Sequence, residues 1–98
     1  MVRHIVMWDY KDGFTGDKNK ENAERVKHEL ESLANLNGII EFNVFINEMI
    51  SSSKDVILNS LFENEEALAA YQIHPEHQRV SEFVGTVFQN RACFDYHC

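Results

Sequence analysis

The chain switches between two hydrophobic periods, and the switches mark its elements. Residues 2–10 alternate with period two: Val2, His4, Val6 and Trp8 share one face of a predicted strand, and Arg3, Ile5, Met7 and Asp9 the other. Asp12-Gly13 signals a turn within residues 11–16. Over residues 17–35 the period becomes helical, with Ala23, Val26, Leu30 and Leu33 as the apolar stripe and Lys20, Glu24, Lys27 and Glu31 on the wet side. Asp17 or Thr15 supplies the N-cap, and Asn37-Gly38 ends the element.

Period two returns over residues 39–50. Ile40, Phe42, Val44 and Ile46 face one way; Ile39, Glu41, Asn43, Phe45 and Asn47 face the other. The polar residues 51–54 make a hairpin loop. Residues 55–63 form a third strand, with Val56, Leu58, Ser60 and Phe62 opposite Ile57, Asn59 and Leu61. Asn64 caps a short helix, with Glu65 and Glu66 in its first turn, where the helix dipole favours acids. Pro75 breaks that helix near Ile73 and opens another at its first position, with His74 as cap and Val80, Phe83, Val84, Val87 and Phe88 as stripe. Residues 90–97 form the last strand.

Strand, helix, strand, strand, helix, strand is the ferredoxin-like order: an α+β domain, residues 1–98, with helices on one face of a four-stranded antiparallel sheet. Helices on one side cover only one sheet face. The other face should then be polar, yet these strands alternate poorly: Ile5 and Met7 lie opposite Val2, Val6 and Trp8, and Ile57 and Leu61 lie opposite Val56, Leu58 and Phe62. Trp8, Phe42 or Phe45, and Phe94 or Tyr96 add to the excess. At ~25 cal/mol per Å² a second copy placed sheet against sheet is the simplest cover, which predicts a homodimer in the form of an α+β barrel.

Composition narrows the function. The chain has 98 residues, 44% apolar and 26% charged, enough for one core. Sixteen acidic against nine basic residues give a net charge of -7. With no basic run, nucleic acid and anionic membrane surfaces are poor partners. No stretch approaches 18 consecutive apolar residues, and the N-terminus lacks the pattern of a signal peptide. Cys93 and Cys98 lie five apart in an extended segment, on opposite faces, and are expected as free thiols in a reducing cytoplasm.

Arg3-His4-Ile5-Val6-Met7, Asp55-Val56-Ile57-Leu58, the run from Phe62 through Leu68 to Tyr71-Gln72-Ile73-His74-Pro75-Glu76-His77, and Asp95-Tyr96 resemble the stress-responsive α/β-barrel (Dabb) family over nearly the whole chain. The most specific part is the tyrosine followed by H-P-x-H on a broken helix. The resemblance implies a dimeric α+β barrel. It also implies, from a polyketide-cyclising plant branch, a Tyr and a His that match Tyr71 and His77, near a strand His that matches His4. Met7-Trp8-Asp9-Tyr10 replaces the more usual Phe-rich end of the first strand and reshapes any cavity there.

These residues suit carbon-acid chemistry. In the first turn of its helix His77 would be held neutral by the dipole, so it can take a proton from a carbon next to a carbonyl, while Tyr71 donates to the enolate oxygen. His4 would orient the base or bind substrate, and Val6 and Trp8 would line the same wall. The expected ligand is a small hydrophobic molecule. The bland alternative is that His74 and His77 cap and solvate a helix start, Tyr71 packs, and His4 is a satisfied core histidine. Zinc needs three or four ligands in a set tetrahedral geometry; in the H-x-x-H pair with His97 and Cys98, Pro75 and the short motif make the spacing a weak signal, so neither metal nor other cofactor is expected. Haem-degrading relatives of the broader fold use a helix His as axial ligand, but no further residue pattern here supports haem.

Overall fold

The computed structural model describes residues 1–98. Its elements are β1 (Val2–Tyr10), α1 (Gly16–Glu31), β2 (Ile39–Ile46), β3 (Val56–Phe62), α2 (Glu65–Ile73), α3 (Pro75–Val87) and β4 (Phe88–His97). The strands form one antiparallel sheet in the order β2-β3-β1-β4, the ferredoxin-like arrangement. All three helices lie on one side.

The cross-strand register shows how the sequence is sorted. Val6 pairs with Leu58, which pairs with Val44; Val2 pairs with Phe62. These residues and Trp8 face the helices and are buried with Ala23, Val26, Leu30, Val80 and Val84 in one core. Trp8 and Phe42 therefore belong to the covered face, and neither bears on what covers the other one. The open face carries Ile5, Met7, Ile57 and Leu61, with Phe45, Phe94 and Tyr96 strongly exposed.

Several boundaries differ from the periodicity. Helix α1 ends at Glu31 rather than residue 35, because a run of turns follows it. Thr15 is its N-cap, with Oγ1 accepting from the Lys18 N–H at 3.1 Å, while Asp17 sits inside the first turn. Strand β2 stops at Ile46, not residue 50; Asn47 turns the chain by donating its side-chain amide to the Lys54 carbonyl at 3.0 Å. Ile40 does not join Phe42 and Val44: the register shifts between Ile39 and Glu41, so Ile40 bulges outward and Ile39 turns toward the core. Strand β4 begins at Phe88, two residues before the expected start.

Two contacts lock helices to the sheet. Lys27 donates to the Val44 carbonyl at 2.6 Å and Glu31 accepts from the Val44 N–H at 3.1 Å, so α1 occupies the unpaired backbone of edge strand β2. Gly38, at φ +87°, ends the α1–β2 connection, where a Cβ would come within 2.5 Å of the Ala67 Cβ on α2.

Candidate functional site

The helix layer covers β2, β3 and β1 but stops short of β4. After Phe88 and the half-buried Gln89, every residue of β4 is exposed. Between β4, the covered end of β1 and helix α3 a cavity of about 320 Å³ remains. Its lining includes His4, Val6, Trp8, Tyr71 and His77, so all five residues named from the sequence meet at one place.

Helix α2 brings Tyr71 to the cavity on its last turn, and the break at Pro75 turns the chain so that α3 returns His77 against it. The rings of Tyr71 and His77 lie 4.3 Å apart. His74 shapes that break: its Nδ1 accepts from the Glu76 N–H at 3.1 Å, the cap expected there. Tyr71 is almost wholly buried, between Phe42 at 5.6 Å and Phe62 at 5.2 Å. Burial pushes its phenol well above the usual tyrosine range, against a weaker opposing pull from the Arg91 charge. Tyr71 therefore stays protonated and can donate.

His77 is held differently. Its Nδ1 lies 3.1 Å from the Gln72 carbonyl, which can only accept. Nδ1 therefore carries the hydrogen, and Nε2 keeps its lone pair. Burial lowers its pKa below 6.5, the Gln72 bond opposes that, and the neighbouring His4, Arg91 and His74 lower it further. The neutral imidazole expected from the helix dipole thus has burial as its main cause.

His4 is buried on β1 beside Tyr71, ring centres 6.3 Å apart. Its Nδ1 faces Asp95 Oδ1 at 2.5 Å across the β1–β4 ladder, where His4 and Asp95 are register partners. The His4 carbonyl accepts from Ser60 Oγ at 2.7 Å. Asp95 thus holds the ring through Nδ1, while Ser60 holds the backbone that carries it. Cys93 stands next in line, 3.8 Å from His4 Nδ1 and 3.5 Å from Asp95 Oδ1.

His4, Cys93 and Asp95 are the residues that could hold a metal, their donor atoms all lying within 4.8 Å of one another. The H-x-x-H grouping does not do so: His74 caps α3, His77 bonds Gln72, and His97 lies 3.7 Å from Glu65. Sequence reasoning missed Arg91, Cys93 and Asp95. Strand alternation puts all three on one face, but that this face looks at His4 follows only from the β1–β4 pairing.

A more open hollow of about 660 Å³ lies beside the 47–55 connection and Met7, Phe45 and Ile57 of the open face. No His, Cys or Tyr lines it, so the smaller cavity is where the chemistry gathers.

Fold and site together describe a ferredoxin-like domain with a His/Tyr-lined cavity on its helical side. The model of the stress-responsive A/B barrel domain family (Dabb) matches residues 2–98, and the chain belongs to that family. Among solved structures it is similar to a dimeric protein of unknown function from Bacteroides fragilis (26% identity, TM-score 0.90, covering 99% of this chain and 95% of that one). It is also similar to a dimeric ferredoxin-like protein of unknown function from Thermobifida fusca (20%, TM-score 0.84, 99% and 90%) and to a protein of Arabidopsis thaliana (24%, TM-score 0.81, 100% and 95%). No curated protein matches the chain. No helix is long and apolar enough to cross a membrane.

Proposed function

We propose that the chain acts as a single-domain homodimer, its two open sheet faces apposed, and that each protomer binds a small hydrophobic molecule in the cavity between β4 and α3. The observation that carries the binding reading is the convergence of His4, Val6, Trp8, Tyr71 and His77 on one cavity of about 320 Å³, within the range of small-ligand sites. The dimer reading is supported by the exposed Phe45, Phe94 and Tyr96 and by the dimeric relatives. The two free thiols, Cys93 and Cys98, are consistent with a cytoplasmic setting.

A second reading, a cofactor-free isomerase or polyketide-cyclase-like enzyme, is favoured by the tautomer of His77. With Nδ1–H committed to Gln72, Nε2 is the base. The proton leaves the carbon next to the substrate carbonyl for Nε2, giving an imidazolium. The electron pair moves onto the carbonyl oxygen, which accepts from Tyr71 Oη. The enolate then attacks a second carbonyl within the molecule, whose oxygen takes the proton back from Nε2, or it regains that proton at another carbon.

The test uses 4-phenylbutan-2-one in deuterated water, with exchange beside the carbonyl followed by NMR. The enzyme reading expects exchange above the buffer rate, falling by about 10²-fold or more in His77→Gln and less in Tyr71→Phe. Exchange at the buffer rate, or unchanged in His77→Gln, sinks the enzyme reading and leaves binding. The absence of any shift of the Trp8 indole on adding the ketone sinks binding as well.

A further inference from the structure

One group at the cavity has no part in the chemistry above. Arg91 is the only permanently charged residue in the lining, and it stands exposed at the cavity's mouth. Most other cations are engaged. Arg3 pairs with Glu41 at 2.8 Å, Arg79 with Glu29 at 3.1 Å, Lys27 with Glu31 at 2.9 Å and Lys54 with Asp9 at 3.2 Å. Arg25 lies over the Phe83 ring at 3.9 Å. Arg91 has no carboxylate or aromatic partner; the group beside it on the strand face is the Cys93 thiol. Asp95, on the same face of β4, is taken up by His4 and Cys93.

The backbone is built to put Arg91 there. Met7 pairs with Ala92 but Asp9 pairs with Gln89, so Asn90 and Arg91 together stand opposite Trp8. This is a bulge, and Asn90 supplies its left-handed residue at φ 55°. The bulge is tied on both sides: Asn90 Nδ2 donates to Asp9 Oδ2 at 3.0 Å, and Lys54 donates to the Asn90 carbonyl at 3.1 Å. A bulge re-aims the side chain that follows it, and here that side chain joins the lining. The charge is felt inside, since it acts on Tyr71, His77 and Cys93.

An exposed guanidinium without a carboxylate, beside a partly apolar cavity in a chain of net charge -7, is open to an anionic partner. We infer that Arg91 anchors an anionic group of the ligand, so that the site takes an amphiphilic acid with its apolar body against Val6, Trp8 and Val84 and its carboxylate at the mouth. The inference rests on the binding reading above and narrows it from hydrophobic molecules in general to monoanions.

The test titrates 4-phenylbutanoate and its neutral amide, 4-phenylbutanamide, at pH 7 and low salt, reading the indole N–H of Trp8, the chain's one tryptophan, by NMR. Wild type should bind the acid about tenfold more tightly than the amide, and Arg91→Gln should erase that preference while leaving amide affinity within about twofold. Arg91→Lys should keep part of it. Added salt should weaken the acid and spare the amide. Equal affinities in wild type, or a preference that survives Arg91→Gln, overturns the anion anchor while the pocket stands. Failure of both compounds to shift Trp8 overturns the pocket and the anchor together. Arg91 is exposed, so Arg91→Gln is expected to fold.

Discussion

The two faces of the sheet are built by the same four strands and reach different ends. On the helical face, Val2, Val6, Val44, Val56, Leu58 and Phe62 are hidden by the chain's own helices, and the two polar intruders, His4 and Ser60, are hydrogen-bonded. On the open face, Phe94 is 66% exposed and Phe45 56%, beside Ile5, Met7 and Ile57. Leu61 alone among them is fully hidden, yet it lies outside the main core. One face is finished within the protomer; the other has the hydrocarbon of a core without its second layer. Apolar surface serves folding on one side and, in the proposed dimer, would serve association on the other.

Substitutions on the two faces should therefore differ in what they respond to. Phe62→Ala removes a fully buried ring from the helical face and should destabilise the protein by about 3–5 kcal/mol in urea unfolding, at any protein concentration. Phe94→Lys should behave otherwise. In a protomer alone it would relieve an exposed ring and change little. In a sheet-to-sheet dimer it places a charge in the interface and should cost about 2 kcal/mol per protomer, seen as a shift to monomer in sedimentation and as stability that depends on concentration. Equal stability and unchanged mass for Phe94→Lys would erase the contrast between the faces. Ser60→Ala then tests the polar intruders. It removes the donor to the His4 carbonyl and should cost about 1 kcal/mol, with the shift of the His4 ring resonances showing whether the bond also orients that ring.

Much of this was legible in the sequence because alternation and helical spacing are local. The faces of β1 and β3, the stripe of α1, and the break with His74 as cap and Pro75 at the first helical position all follow from residues a few places apart. The misplaced features have non-local causes. Ile40 has the right period for the core, but the β2–β3 register slips there, and register belongs to two strands at once. Residues 47–50 look like strand, but Asn47 turns the chain through bonds to residues five and seven places on. At the site, Tyr71, His77 and His4 could be named from the resemblance. Arg91, Cys93 and Asp95 join them only because β4 pairs with β1 and the helices leave that end uncovered. An exposed strand with charged residues reads as a sheet edge until its neighbour is known.

That uncovered end is where the two kinds of surface meet, and the titration of His77 probes it. Burial keeps the His77 pKa below 6.5 in the native protein, whereas in the unfolded chain it stands near 6.5. The unfolded state then binds more protons as the pH falls, so stability is complete above about pH 6.5 and is lost on acidification from there down to the lower native pKa. The sign is that of a histidine buried neutral, opposite to one that gains a carboxylate partner. His77→Gln keeps a side-chain amide but cannot titrate, so its stability should fall less steeply than wild type between pH 7 and the native midpoint. The wild-type midpoint itself is read from the His77 ring protons by NMR. A midpoint above 6.5 would mean that the ring is solvated or acid-paired, that the end of the helical face behaves like the open one, and that the neutral base at the cavity is lost. Addition of an apolar ligand sharpens the same measurement: a molecule that fills the cavity excludes water from His77 and should move the midpoint further down.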